Sequence, residues 1–153
     1  MARYKNTNLN KILCRIQMSY RTLANVGVNN RSSQSVNVEG VGETKIINVP
    51  VISCIEDKKS LISNNRFCVI DVYAEWCEPC NVIKPQFEKL VEKYTIPNIC
   101  VLAKENVELR LSPEVQVVPT FLFYKDGELD SMINGGNMIN IEKKINEFLL
   151  TLK

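Results

Sequence analysis

The chain has 153 residues, enough for one domain with a sizeable core and an additional segment. Its apolar and charged fractions, 45% and 24%, are ordinary for a globular protein. No apolar run approaches the roughly 18 residues that span a membrane, so stable membrane insertion is not expected. The absence of histidine excludes zinc sites of the Cys/His kind and catalysis by a Ser-His-Asp triad.

The net charge of +2 is unevenly distributed along the chain. Residues 1–38 carry six basic and no acidic side chains, whereas residues 39–153 carry 13 basic and 17 acidic ones. Because the folded part is acidic, we expect no basic face for nucleic acid on it.

Residues 1–44 are predicted to be a basic amphipathic presequence and linker, removed or disordered in the mature protein. In a helix, Lys11 and Arg15 would project opposite an apolar arc. The arc consists of Leu9, Ile12, Leu13, Ile16 and Tyr20. Such an acid-free segment, rich in Ser and Asn, is typical of a transit peptide, so we expect a mitochondrial protein. The alternatives are another organelle, or a cytoplasmic protein whose basic extension is disordered or lies on an anionic membrane surface.

A folded domain is predicted over residues 45–153, and it opens with a short strand and a helix. The run 45–51 is rich in β-forming residues. Ser53-Cys54-Ile55-Glu56 follows it and reads as a Ser-x-x-Glu capping box, which predicts a helix to about Ser63.

Residues 67–73 form a nearly continuous apolar run, typical of a central strand that is buried on both faces. Asp71 lies inside this run. A buried carboxylate is costly unless it has a partner or a task, so Asp71 is a candidate functional residue.

The rest of the chain continues this alternation of strands and helices. The pattern predicts a helix to about Tyr94, a buried strand at 99–103, a short helix or irregular link at 107–114, a β-hairpin of strands 120–124 and 128–133, and a final amphipathic helix. Strands that alternate with helices predict parallel pairing, and the terminal hairpin adds antiparallel strands to the same sheet.

Cys77-Glu78-Pro79-Cys80 follows the central strand and is open to three interpretations: a redox pair, half of a metal site, or two unrelated cysteines. Structural zinc needs four Cys or His ligands, commonly as two spaced pairs, and this sequence has one such pair and no histidine. We therefore expect no metal. A CxxC motif between a buried strand and a helix in a βαβ context is typical of a thioredoxin-like fold.

The flanking sequence makes that resemblance specific. Residues 69–85, VIDVYAEWCEPCNVIKP, resemble the active-site segment of thioredoxins. Val117-Val118-Pro119-Thr120, followed by FLFYKDGE, resembles the cis-proline segment and terminal hairpin of that family. The resemblance covers about residues 45–153 and implies the thioredoxin fold, an α/β fold with a central mixed β-sheet flanked by helices on both faces.

This resemblance implies a thiol–disulfide oxidoreductase that reduces protein disulfides and needs no cofactor besides its own redox-active disulfide. Cys77, at a helix N-terminus where a thiolate is stabilised, attacks the substrate, and Cys80 then releases it. Asp71 matches the buried acid that serves Cys80 in proton transfer. Lys104 matches the family's lysine at the end of the next strand, and an ion pair between Asp71 and Lys104 is the structural alternative for Asp71.

The resemblance also implies a substrate groove beside the two cysteines. Pro119 is expected to be cis and to pack against the disulfide, with Trp76 and the backbone of Val118 contacting an extended substrate. The other residues expected at the substrate are Glu78, Pro79, Gly135 and Gly136. Glu78 places a negative charge where many thioredoxins have glycine, and either glycine matches the family's small residue on the far side of the groove.

The expected partners are disulfide-containing protein substrates and a thioredoxin reductase or another dithiol donor. Three alternatives stay open: a thioredoxin-like subunit that acts as a binding or scaffold module in a larger complex, a disulfide oxidase or isomerase, and a glutaredoxin-like enzyme. Cys68 and Cys100 lie in apolar strands and are predicted to be small buried hydrophobic residues.

Overall fold

The computed structural model describes residues 48–152, and the predicted presequence lies outside them. The elements in chain order are β1 (Val51–Ile52), α1 (Ile55–Ser63), β2 (Phe67–Tyr73), α2 (Glu78–Tyr94), β3 (Cys100–Asn106), a 3₁₀ turn (Val107–Leu109), β4 (Thr120–Lys125), β5 (Glu128–Asn134) and α3 (Met138–Leu150). This order is the one the sequence predicts. Within residues 48–152, no helix is long and apolar enough to cross a membrane.

Five strands form one mixed sheet in the order β1-β3-β2-β4-β5. β3 pairs in parallel with β1 and with β2, while β4 pairs antiparallel with β2 and with β5. The parallel pairs follow from the crossovers through α1 and α2, and the antiparallel pair β4–β5 is the predicted hairpin. The predicted α/β fold with a mixed sheet is confirmed. β2 occupies the middle of the sheet and is covered on both faces, which explains its continuous apolar run.

Helices cover both faces of the sheet and enclose two apolar clusters. Because side chains alternate along a strand, Phe67 and Val69 face α2 and α3, whereas Cys68 and Ile70 face α1. In the first cluster the rings of Phe67 and Phe148 stack with centroids 4.0 Å apart. This contact packs α3 directly against β2.

The start of α1 corrects one prediction. The Ser53 capping box is wrong, because the N-cap is Cys54, whose side chain makes no cap hydrogen bond. The carboxylate of Asp57 instead accepts a hydrogen bond from the Ser53 backbone N–H at 3.1 Å. The helix thus begins one residue later than the box requires, and a carboxylate four residues on takes the backbone donor that Glu56 was expected to take.

Within residues 48–152, the segments before and after the central strands contain little regular structure. In the described part of the predicted strand 45–51, only Val51 pairs in the sheet, and Ile52 completes β1. Of the predicted short helix or link at 107–114, the helical part is the 3₁₀ turn alone, and it ends at Arg110, whose φ is 52°. The turn between β4 and β5 has positive φ at Asp126 and Gly127, 48° and 93°, as a tight hairpin requires.

Candidate active site

Cys77 and Cys80 form a disulfide at the point where β2 leads into α2. Cys77 is the N-cap of α2, with extended backbone angles, and its sulfur accepts a hydrogen bond from the Cys80 backbone N–H at 3.2 Å. Pro79 lies in the first turn, where the missing N–H costs no helical hydrogen bond. The first turn of α2 therefore directs its unpaired donors and its positive dipole end at the Cys77 sulfur.

The disulfide is largely buried, with Cys77 and Cys80 exposed by 4% and 5%. Its immediate surroundings are apolar: Ala74, Tyr73, Val107 and Val118 pack against the two cysteines. The residues next to the disulfide in sequence are exposed to solvent: Trp76 is 71% exposed, and Glu78 and Pro79 are exposed as well. The disulfide thus lies beside an exposed rim formed by Trp76, Glu78 and Pro79.

Asp71 lies on the face of β2 that α2 covers, and it is 1% exposed. Burial raises the pKa of its carboxyl to about 6, although the nearby charge of Lys104 acts in the opposite direction. Its Oδ1 accepts no hydrogen bond from any residue within 48–152. The carboxyl can therefore change protonation state close to neutral pH, which is the property that a proton-transfer group needs.

Lys104 is the direct neighbour of Asp71 across the parallel β2–β3 pair. The alternative of a direct Asp71–Lys104 ion pair is not formed among the salt bridges of the described residues. The ammonium instead lies over the ring of Tyr73, 4.9 Å from its centroid. A cation held over an aromatic face can still lower the pKa of the carboxyl electrostatically without closing an ion pair on it.

A solvent-accessible pocket of about 290 Å³ reaches this region from the side of α2. It is lined by Asn48, Val49, Val51, Tyr73, Glu75, Cys80, Asn81, Lys84, Glu88 and Lys104. The pocket gives water access to the second cysteine and to Lys104 from a direction other than the exposed rim at Trp76.

The Val118–Pro119 peptide bond is cis, as the resemblance of this segment to thioredoxins predicts. Val118 packs against the disulfide, and the Pro119 carbonyl accepts a hydrogen bond from the Gly135 N–H at 2.8 Å. The Thr120 hydroxyl donates to the Val117 carbonyl at 2.7 Å. These contacts hold the cis-proline segment beside the cysteines.

Gly135 and Gly136 are adjacent, but the structure requires a glycine at each position for a different reason. Gly135 has a φ of +87°, a conformation that side chains disfavour, and a Cβ there would meet nothing. At Gly136, a Cβ would lie 2.7 Å from Cγ2 of Ile83 in α2. Gly136 is therefore the residue whose small size lets the chain after β5 approach the active-site helix.

The sequence interpretation missed three buried polar residues on the other face of the sheet. Lys58 of α1 forms an ion pair with Glu105 of β3 at 3.0 Å and a hydrogen bond with the hydroxyl of Ser112. A signal was available, since Lys58 shares the helix face of Leu61 and Ile62, which packs on the sheet. No group of three or more metal-ligating side chains exists within residues 48–152.

Cys68 and Cys100 are free and buried, and burial raises the pKa of each thiol to about 12. They face opposite sides of the sheet, Cys68 towards α1 and Cys100 towards α2. Both are thus small buried core residues, as predicted.

Comparison with known proteins gives a consistent result. The thioredoxin family model matches residues 49–147. A thioredoxin of Coprinus comatus is 36% identical over 105 residues, which are 66% of this chain and 98% of that protein. The protein named mitochondrial thioredoxin-3 of Saccharomyces cerevisiae is 31% identical over 108 residues, covering 69% of this chain and 84% of the relative.

The fold agrees as well. The crystal structure of oxidised mitochondrial thioredoxin 3 from Saccharomyces cerevisiae superimposes with a TM-score of 0.57 at 34% identity, covering 65% of this chain and 94% of that one. Like other thioredoxins, the protein carries its redox group in its own sequence and acts on disulfide substrates with reductase partners. This chain therefore belongs to the thioredoxin family, and it is a thiol–disulfide oxidoreductase that reduces protein disulfides through a dithiol–disulfide cycle of Cys77 and Cys80.

Proposed function

We propose that Cys77 is the attacking thiol and Cys80 the resolving thiol of this cycle. The observation that supports the order is the position of Cys77 at the N-cap of α2, where the helix stabilises its thiolate. The Cys77 thiolate attacks one sulfur of a substrate disulfide, forming a mixed disulfide and expelling the other substrate thiolate. The Cys80 thiolate then attacks the Cys77 sulfur, which releases the second substrate thiolate and closes the Cys77–Cys80 disulfide.

Cys80 must lose its proton before this second step, and we assign that proton to Asp71. Support comes from the burial of Asp71 on the face that α2 covers and from its pKa of about 6. The pocket beside α2 is lined by Cys80 and by Lys104, the neighbour of Asp71 across the β2–β3 pair. Lys104 has an electrostatic role, because its ammonium offsets part of the cost of the buried carboxylate.

Substrate binding is assigned to the exposed rim around the disulfide. The backbone of Val118 pairs with an extended substrate segment, and Pro119 and Trp76 flank it. Glu78 and Pro79 border the rim at the start of α2. Gly135 and Gly136 close the far side.

We further propose that the domain begins near residue 45 and that residues 1–44 direct the chain to mitochondria. The acid-free basic composition of this segment supports the proposal, as does the relative named mitochondrial thioredoxin-3. A fusion of residues 1–44 to a fluorescent reporter tests it. The reporter should co-localise with a mitochondrial dye, and a cytosolic reporter would contradict the proposal.

An insulin-reduction assay with a supplied dithiol donor tests the order of the two thiols. The Cys77→Ser variant should lose turnover and form no mixed disulfide. Cys80→Ser should also lose turnover but accumulate a mixed disulfide through Cys77, visible on a non-reducing gel. Trapping by Cys77→Ser instead would reverse the assignment, and the absence of wild-type turnover would favour a scaffold role.

A further inference from the structure

The cluster of Lys58, Glu105 and Ser112 is buried on the sheet face opposite Asp71. The Lys58 ammonium lies 3.0 Å from Oε2 of Glu105, and the two side chains are 5% and 0% exposed. Lys58 also forms a hydrogen bond with the Ser112 hydroxyl and donates to the Leu111 carbonyl at 3.4 Å. One ammonium therefore joins α1, β3 and the segment that follows the 3₁₀ turn.

That segment, residues 110–119, contains no helix or strand. It begins at Arg110, and one of its internal backbone bonds runs from the Val115 N–H to the Ser112 carbonyl at 3.1 Å. A segment without a repeating hydrogen-bond pattern depends on side-chain contacts for a single conformation. Lys58 supplies such contacts at Leu111 and Ser112, near its start.

The other end of the segment reaches the active site. Leu111, Val115 and Val118 pack into the same apolar cluster beneath α1, and Val118 also packs against Cys77 and Cys80. The position of Leu111 is therefore linked, through one continuous set of packed side chains, to the cis-proline bond.

Stability alone does not explain this ion pair. A buried pair of charges is often no better for stability than apolar side chains of similar volume, although removal of one partner is strongly destabilising. An apolar residue at position 58 could pack under α1, but it could not bond Ser112 and the Leu111 carbonyl. The distinguishing property of the pair is its directional contact with the segment.

We propose that Lys58, held in place by Glu105, is a positioning residue that fixes residues 110–119 and so sets the distance between the Val118–Pro119 edge and the Cys77–Cys80 disulfide. The proposal rests on the substrate-binding role assigned above to Val118 and Pro119. It concerns binding of large substrates, because attack by Cys77 on a small disulfide does not need that edge.

The double variant Lys58→Met/Glu105→Met tests this, since it removes both charges with little change in volume. Kinetics are measured with insulin and with a small aromatic disulfide such as dithiobis(nitrobenzoate). We expect KM for insulin to rise about fivefold, because an edge that must be ordered on binding weakens association. The rate with the small disulfide should stay within about twofold, because chemistry at Cys77 is unchanged.

Two further variants make the result decisive. Lys143→Met/Glu147→Met removes an exposed ion pair of α3 and is the matched control, which should leave both rates unchanged. Ser112→Ala keeps the buried ion pair but removes one contact between Lys58 and the segment. It therefore still tests the positioning role if the double variant does not fold. It should raise KM for insulin and speed hydrogen exchange at the Val115 amide.

An unchanged KM in a folded double variant, or in Ser112→Ala if the double variant does not fold, would overturn the proposal. Val118→Asp separates this outcome from failure of the assigned groove, because a charge at the edge should itself raise KM. If Val118→Asp raises KM and the cluster variants do not, the positioning role fails alone. If none of them changes KM, the groove assignment fails too.

Discussion

The buried carboxyl groups of Glu105 and Asp71 differ in whether they have a charged partner in direct contact. Glu105 has a direct partner, the ammonium of Lys58 at 3.0 Å. Asp71 has none within residues 48–152, because the closest lysine across the sheet, Lys104, lies over the ring of Tyr73. The first arrangement is a closed ion pair between α1 and β3. The second leaves a carboxyl whose protonation state can change during a reaction.

Asp71→Asn should stabilise the oxidised protein in a pH-dependent way. The folded pKa of about 6 lies above the ordinary value of 3.8, so folding favours the protonated carboxyl. The contribution of the Asp71 carboxyl to the free energy of unfolding is fully favourable below about pH 4 and is lost as the pH rises through 6. At pH 8 the neutral amide should raise the free energy of unfolding by about 3 kcal/mol, from two units of pKa difference. Urea unfolding at pH 8 and pH 3.5 measures this, and an equal gain at both values would contradict it.

Lys104→Met should raise the pKa of Asp71 above about 6, because the lysine charge is the one perturbation that lowers it. Carbon NMR of the Asp71 carboxyl across pH 4–9 follows the titration directly. Lys84 borders the same pocket from α2, so Lys84→Met is the matched control and should move the titration less. A pKa that is unchanged or lowered in Lys104→Met would show that the two groups are not coupled.

At the scale of elements, the close approach of the chain after β5 to α2 depends on Gly136. The Cβ of an alanine would overlap Cγ2 of Ile83, and a β-branched side chain in a helix has little rotamer freedom with which to move away. We expect Gly136→Ala to cost about 1–3 kcal/mol of folding free energy, the usual range for an overpacked core.

A double-mutant cycle with Ile83→Ala identifies the contact. In that background the alanine at 136 has room, so most of its cost should disappear. Gly127→Ala is a useful comparison, since its Cβ would meet nothing and only the φ of +93° opposes it. If the cost of Gly136→Ala is the same with and without Ile83, backbone strain rather than overlap is responsible.

Sequence patterns predicted the elements well, because each depends on local periodicity. The apolar run of β2, the ends of α1 and α2, and the Asp126-Gly127 turn are readable from neighbouring residues. The capping box at Ser53 failed because Asp57 and Glu56 are both acceptors of the right kind, and a shift of one residue decides between them.

At the scale of the whole molecule, the sequence predicted the active site through a family resemblance and not through local rules. The cis bond at Pro119 and the approach of Val118 to the disulfide join residues about 40 positions apart, which no local pattern encodes. The burial of Lys58 could be predicted from its helix face, but its pairing with Glu105 and Ser112 could not, because these partners come from β3 and from the segment that follows the 3₁₀ turn. Asp71 was found because one charge in an apolar strand is a local anomaly.

The oxidised protein should be more stable than the reduced one. A disulfide between Cys77 and Cys80 closes a loop of four residues, which removes conformational entropy from the unfolded chain worth about 2 kcal/mol. In a thermodynamic cycle, the difference in unfolding free energy between the oxidised and the reduced protein equals the difference in free energy of disulfide formation between the folded and the unfolded chain. A more stable oxidised protein therefore means that the folded chain forms this disulfide more readily. A fold that favours the disulfide makes the reduced protein a reductant.

Urea unfolding at pH 7 with and without a phosphine reductant measures the difference. The Cys77→Ser/Cys80→Ser variant is the control, since any remaining effect of the reductant on it arises elsewhere in the chain and is subtracted. A corrected difference of about 2 kcal/mol in favour of the oxidised form agrees with net reduction of protein substrates. If the reduced form is the more stable one, the stabilisation of the Cys77 thiolate in the folded reduced protein is larger than the stabilisation that loop closure gives the oxidised protein. The protein would then act as an oxidant, because proteins of this fold whose reduced form is stabilised withdraw electrons from their substrates.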